Sequence, residues 1–264
     1  MKTGVTQIIY AKHPTADFIK DAAGAGYQSV ELSLRKEGDL TLQTNDAALQ
    51  QIVSDLAKNK LELSSLSLNH LTGNLLDSGQ AQRTGIDETI AGLHVAKKLG
   101  AKCTLHTLGR LSADLYYEDA WNNAIAALKE IARTCDALDI DLAIEFVWNG
   151  FLFSPLEMRR FIEEVGSPRI GFYFDPGNMA VFHFPQHWVR ALGKHIKRVH
   201  LKDWKGRALN GGWTPLLEGE VNFPVVMAEL RKIGFDGALT SEVSVTDANL
   251  EVTRQAIEKI IQMG

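Results

Sequence analysis

The chain of 264 residues is 45% hydrophobic, and its 28 basic and 32 acidic side chains give a net charge of −4. That length is close to the ~250 residues of an eight-fold α/β barrel, and the apolar content suffices for one sizeable core. No basic run tracks a phosphate backbone, and no stretch approaches the ~18 uninterrupted apolar residues of a membrane helix, so neither nucleic acid nor a membrane is an expected partner.

The amino terminus, MKTGVTQIIYAKHPT, has one Lys and a brief apolar stretch with no secretion signal, which points to the cytoplasm. Strand-like runs and helical patterns then alternate. The runs are VTQIIY from Val5, SVELSL from Ser29, LELSSLSL from Leu61, AKCTLHTL from Ala101, DLAIE from Asp141, IGFYFD from Ile170, IKRVH from Ile196 and ALTSE from Ala238. Helical patterns fill the gaps, starting at Thr15, Asn45, Thr84, Tyr117, Ser154, Pro185 and Phe223, with a terminal helix from Asp247. Several open on an Asn, Asp or Thr cap and many close on Gly. Eight strand-and-helix pairs imply parallel strands, and eight is the number that closes a ring. The expected fold is therefore α/β, a single-domain (β/α)8 TIM barrel over residues 1–264. Cys103 falls in a strand and Cys135 in a helix, as buried small hydrophobes rather than a disulfide. The longest non-helical insertion, residues 203–222, follows the seventh strand and is a candidate substrate lid.

The last four strand-like runs each end in a potential metal ligand: Glu145, Asp175, His200 and Glu242. Polar residues at the carboxyl ends of successive parallel strands are how a barrel builds an active site. One strand-terminal acid is commonly a helix cap or a hydrogen-bonded core group, but four in order call for a joint explanation. Three carboxylates and an imidazole converging on one point repel one another strongly without a cation. The oxygen-rich set favours Mn²⁺, Mg²⁺ or Co²⁺, with Zn²⁺ also able to bind, so one divalent metal ion is the expected cofactor.

VELSL with Glu31, LAIE with Glu145, FDPGN with Asp175, RVHLKD with His200 and Asp203, LLEGEVNF, and ALTSEV with Glu242 together resemble the xylose-isomerase-like superfamily, and within it the branch of tagatose and psicose 3-epimerases. The likeness spans nearly the whole chain, and HLKD followed by LxEGxVNF is its most specific part. It implies that the four ligands bind one divalent metal, that Glu145 and Glu242 double as catalytic acid/base groups, and that the substrate is a small carbohydrate. A metal on the carbonyl and neighbouring hydroxyl oxygens of a keto sugar stabilises the enediolate left when a C–H proton departs. One carboxylate removes that proton and the other returns it to the opposite face, inverting the carbon; return to the adjacent carbon interconverts aldose and ketose. The same beginning followed by loss of hydroxide is the dehydration of the inosose dehydratase branch. A barrel that has lost its chemistry and only binds sugar is the non-enzymatic alternative. Relatives often assemble as dimers or tetramers, and a homo-oligomer is compatible with this sequence.

Further positions take substrate-binding roles. Glu31 at the end of the second strand, His70 after the third and His106 within the fourth are expected at the mouth. The two histidines are similar to those that bind extra zinc ions in the apurinic endonuclease branch, but the Asp-x-x-His and Asp-x-His motifs of that branch are missing, so substrate contact is the reading. Asn178 stands where many relatives carry His; it can bond a sugar hydroxyl but cannot shuttle a proton, which favours epimerisation or elimination over isomerisation. Lys202 and Arg207 offer cations to a substrate hydroxyl, carboxylate or phosphate, and Trp148, Phe151, Trp204 and Trp213 offer aromatic faces. No carboxylate closely follows Glu145 as in the epimerases, and no Gly-rich phosphate cradle is evident at strands seven and eight.

Overall fold

Eight parallel strands close into a barrel in the computed structural model, which describes residues 1–10, 13–244 and 249–264. In chain order they are β1 (Lys2–Thr6), β2 (Ser29–Leu34), β3 (Glu62–Leu68), β4 (Cys103–His106), β5 (Asp141–Glu145), β6 (Ile170–Phe174) and β7 (Ile196–Leu201), with β10 (Ala238–Ser241) closing the ring on β1. Between the last two stands an antiparallel hairpin of β8 (Asp203–Arg207) and β9 (Asn210–Thr214). The helices α1 (Thr15–Gly24), α2 (Asp46–Lys58), α3 (Gly79–Leu99), α4 (Tyr117–Leu138), α5 (Pro155–Val165), α6 (Pro176–Ala180), α7 (Pro185–Leu192) and α8 (Phe223–Lys232) lie between the strands in sequence, and α9 (Leu250–Ile261) follows the last of them. Among the described residues no helix is long and apolar enough to cross a membrane. Cys103 and Cys135 are both buried and unpaired.

Several boundaries differ from the sequence reading, each for a local reason. The first strand stops at Thr6, because the Thr6 hydroxyl accepts from the Ile8 amide and turns Gln7–Tyr10 into a 3₁₀ segment. The short α6, absent from the sequence reading, starts directly after Asp175, whose Oδ1 accepts from the amides of Gly177 (2.8 Å) and Asn178 (3.2 Å). The insertion at 203–222 is a hairpin rather than a bare loop. The third helix begins at Gly79, earlier than Thr84. The last helix opens at Leu250 on an Asn249 cap, while Asp247 and Ala248 lie outside the described residues.

Alternation decides what the barrel encloses. Along β2, Val30, Leu32 and Leu34 join the apolar layer beneath the helices, whereas Ser29, Glu31 and Ser33 are buried polar groups on the other face. Cys103, Leu105, Ala143 and Tyr173 form a separate small cluster inside the ring. The pairing of β2 with β3 slips by one residue beside Glu31, and that of β6 with β7 slips beside Tyr173. Such bulges re-aim side chains near active sites. Here they flank two residues that bond to each other across the lumen.

The base of the hairpin is pinned by one carboxylate. Buried Asp203 accepts four backbone N–H bonds, from Trp204 (2.9 Å) and Val221 (3.1 Å) at Oδ1 and from Leu217 and Gly219 (both 3.0 Å) at Oδ2. A Cβ on Gly219 would stand 2.1 Å from Asp203 Oδ1, so glycine is required there. This is the physical content of HLKD followed by LxEGxVNF: the motif's Asp gathers the motif's own amides.

Candidate metal centre

At the carboxyl end of the barrel, Glu145 closes β5, Asp175 follows β6, His200 lies in β7 and Glu242 follows β10. One possible ligand atom from each lies within 4.8 Å of the other three. His200 Nδ1 is 3.5 Å from Glu145 Oε1 and 3.2 Å from Glu242 Oε2. His200 Nδ1 and Asp175 Oδ2 are both buried without a hydrogen-bond partner, Oδ2 having only the Lys202 ammonium 3.0 Å away as an ion pair. Buried polar atoms are rarely left so, and an imidazole nitrogen and a carboxylate oxygen facing the carboxylates of Glu145 and Glu242 suit a cation. Three carboxylates and one imidazole nitrogen are a donor set that fits a single divalent ion.

The layer beneath explains why His200 offers Nδ1. Glu31, fully buried, accepts from His200 Nε2 (2.9 Å) and Thr6 Oγ1 (2.6 Å) at Oε1, and from Ser65 Oγ (2.6 Å) and Tyr173 Oη (2.7 Å) at Oε2. A carboxylate bonded to one ring nitrogen fixes the tautomer and leaves the other nitrogen free to coordinate. Glu31 is thus a support under the site and not the substrate contact expected from sequence, because no part of it reaches the mouth.

Electrostatics sharpen the picture. Burial pushes the Glu145 carboxyl up. At Glu242 burial acts the same way but is outweighed by Lys202 and His200, which hold it below the usual carboxylate range. For His200 burial favours the neutral ring, yet Glu31, Glu145 and Glu242 together raise its pKa. At Glu31 the burial penalty is overcome by His200, Ser65 and Thr6, and its pKa falls. Lys202 Nζ lies 2.7 Å from Glu242 Oε2 and 3.0 Å from Asp175 Oδ2, so the lysine expected beside the site stands at its edge. Gly177 lets α6 approach this closely, since a Cβ there would meet Lys202 Cβ at 2.5 Å.

Other expected substrate contacts are placed differently. His106 lies on the face of β4 opposite Cys103 and Leu105. Its Nδ1 accepts from the Leu108 amide (2.8 Å), so the proton sits on Nε2, which donates to Thr89 Oγ1 of α3 (2.9 Å). His70 donates from Nε2 to the Glu88 carbonyl of the same helix (2.9 Å). Both histidines therefore bond to α3 rather than to the metal cluster; for His106 the alternation of β4 is the reason. Asn178 gives its amide hydrogens to Glu145 Oε1 (3.2 Å) and the Phe146 carbonyl (2.9 Å), so it positions Glu145 instead of presenting an amide N–H to a sugar. Arg207 is exposed at the far end of β8, on the order of 13 Å along the strand from Asp203. Phe151 is core, packed on Tyr117 and Phe161, and Trp204 is nearly covered. Trp213 lines a cavity of about 210 Å³ together with Lys202, Glu242 and Ile9.

The buried state of His106 has a measurable consequence. Burial lowers its pKa to about 3, so between pH 6.5 and 3 the unfolded chain binds a proton that the folded chain refuses. Stability then falls with pH across that window, at up to about 1.4 kcal/mol per unit for this one group. The urea midpoint of His106→Gln should fall less steeply from pH 6.5 to 4 than that of the parent. Equal slopes would mean that His106 is not held neutral.

Sequence reasoning missed Thr6, Ser65 and Tyr173, which complete the shell around Glu31. Their signal was present in part: Ser29, Glu31 and Ser33 alternate with apolar residues in SVELSL, which marks a polar lumen-facing row. Tyr173 sits within the aromatic run IGFYF, where nothing distinguishes it from its neighbours.

A closed parallel barrel whose strand ends bring acids and a histidine to one buried point defines a (β/α)8 barrel with a site suited to one divalent cation. The chain belongs to the xylose isomerase-like TIM barrel family, which it matches over residues 19–263. Among solved structures it is similar to a D-tagatose 3-epimerase-like protein (TM-score 0.84, 20% identity, covering 99% of this chain and 97% of the other). It is also similar to L-ribulose 3-epimerase (TM-score 0.82, 18% identity, 99% and 94%) and to an IOLI protein with a bound zinc atom (TM-score 0.77, 15% identity, 98% and 96%). At those identities the likeness is one of fold. An uncharacterized protein of Methanocaldococcus jannaschii is 26% identical over 152 residues, 54% of this chain, so that the match spans about half (51%) of that curated relative's length.

Proposed function

We propose that this protein is a divalent-metal-dependent epimerase of a keto sugar, with Glu145, Asp175, His200 and Glu242 as metal ligands and the two glutamates as the proton-transferring groups. The observation that carries this reading is the placement of the glutamates. β5 and β10 are separated in the ring by β6 and β7, yet both carboxylates reach His200 Nδ1, at 3.5 Å and 3.2 Å. Two bases approaching one point from different sides are what inversion of a carbon requires. A bound ion would supply Lewis-acid stabilisation of the oxyanion formed beside that carbon. Glu145 is held by Asn178, and Glu242 by Lys202, so each can hold or release a proton at a fixed position. No histidine stands at 178 to carry a proton between two substrate oxygens, which favours epimerisation over aldose–ketose exchange. The epimerase names among the structural neighbours agree with this reading.

The test is conversion of a panel of ketoses in D₂O, followed by NMR. Chelator-treated protein should be inactive and regain activity with Mn²⁺, Mg²⁺ or Co²⁺, and deuterium should accumulate at the inverted carbon. An aldose product, or an ultraviolet-absorbing enone from an inosose, would replace epimerisation by isomerisation or dehydration. Metal content after dialysis should drop toward zero in His200→Ala; full retention would sink the ligand set.

A further inference from the structure

We infer that the substrate carries a second ring beyond the reacting sugar, and that this ring lies on the aromatic surface formed by Trp213, Trp148 and Phe182. The inference rests on the keto-sugar reading above and adds a substrate class to it. The cavity beside Glu242 and Lys202 measures about 210 Å³, below the roughly 300 Å³ at which pockets begin to enclose drug-sized ligands. It has room for one sugar ring. Whatever is attached to that ring extends out of the cavity past the residues at its rim.

One wall of the cavity is Trp213, and on that side it continues outward as aromatic surface. Trp213 keeps 42% of its area exposed although its ring is fixed on several sides. It stacks on Trp148 (centroids 5.4 Å apart, planes 4° apart) and meets Trp204 edge-on (5.0 Å, 80°), with Lys202 Nζ 5.2 Å from its centroid. Trp148 is fixed in turn by an Nε1–H bond to the Asn178 carbonyl (3.0 Å), and its backbone takes φ 58, a left-handed value that a bulky side chain adopts only under constraint. Phe182 packs edge-on against Trp148 (6.3 Å, 87°) and is 49% exposed; Phe153 follows against Phe182 (6.2 Å, 77°) and is 36% exposed. Isolated exposed apolar residues need no explanation, but a connected row of rigid rings running from a catalytic cavity marks a binding surface. Flat rings with C–H faces, whether a second sugar or an aryl group, are the ligands such a row accepts. The continuity of the row with the cavity makes the occupant part of the same molecule that enters the site.

The experiment is calorimetric titration of the metal-loaded protein with three probes. They are D-fructose, isomaltulose (a glucosyl-fructose whose keto group is free) and 6-O-benzyl-D-fructose. One or both two-ring probes should bind about tenfold more tightly than fructose, and the stronger of them tells whether the second ring is a sugar or an aryl group. Phe182→Ala, a change at an exposed ring, should cancel that advantage while leaving fructose affinity unchanged. Equal affinities for all three probes in the parent protein would overturn the second-ring site while the keto-sugar reading stands. Absence of binding by any probe would overturn both. Sedimentation of the same variant settles the competing occupant: if Phe182→Ala dissociates an oligomer, the row is a contact between copies and the inference fails.

Discussion

Glu145→Gln and Glu242→Gln should each lower kcat by about 10² to 10⁴, the range over which a positioned acid/base group contributes to rate. The amide replaces the carboxylate at nearly equal volume, and its oxygen can still accept from Asn178 at 145 or from Lys202 at 242. Thermal unfolding should therefore stay close to that of the parent. What is lost is the lone pair that takes the proton and much of the affinity for metal, since an amide is neutral. Metal titration separates the two contributions. If saturating Mn²⁺ restores metal content without restoring turnover, the missing function is proton transfer. Activity within a few-fold of the parent in either variant would remove that glutamate from the mechanism.

The second large effect is expected at Glu31, which touches no solvent. Glu31→Ala leaves His200 Nε2–H and the hydroxyls of Thr6, Ser65 and Tyr173 without their shared acceptor inside the ring. Breaking a buried charged pair by removing one partner costs about 3–5 kcal/mol, and loss of the carboxylate behind a metal-binding histidine costs about 10- to 100-fold in metal affinity. Urea unfolding reads the first and competition with a chelator reads the second. Glu31→Gln keeps the volume but sets an N–H₂ against groups that donate, so it should rescue little of either. A Glu31→Gln protein with parental stability and parental metal affinity would show that the network does not support the site.

The contrast between Glu242 and Glu31 shows what a sequence can convey about such a protein. The four cluster residues were readable because each ends a strand-like run, and the barrel supplies the rule that strand ends meet. The strands β2 and β5 were also bounded correctly, since their alternation or apolar run is interrupted by clear loop residues. Depth along the lumen was not readable. Glu31 was expected at a strand end like the others, yet it stands third of the six residues of β2, one layer lower, where three hydroxyls and His200 surround it. Nor was phase readable in β4, which spans only Cys103–His106; four residues offer too short a period to tell that His106 turns to the helices. The partners of Asn178 were hidden for a third reason. Its amide is consumed by a residue 33 positions earlier in the chain, and no local pattern reports so distant a partner.

Asp203 divides the mouth of the barrel into a part that is held and a part that is free to drift. Its four bonds go to backbone amides on both sides of the hairpin, and apart from Gly219, where a side chain would collide with the carboxylate, those amides are indifferent to side-chain identity. The outer residues of β8 and β9 can then be exchanged over evolutionary time without disturbing His200, three positions before the anchor. A scaffold of this kind acquires new substrates by rewriting a ribbon of about ten residues, while the chemistry at its floor is inherited unchanged.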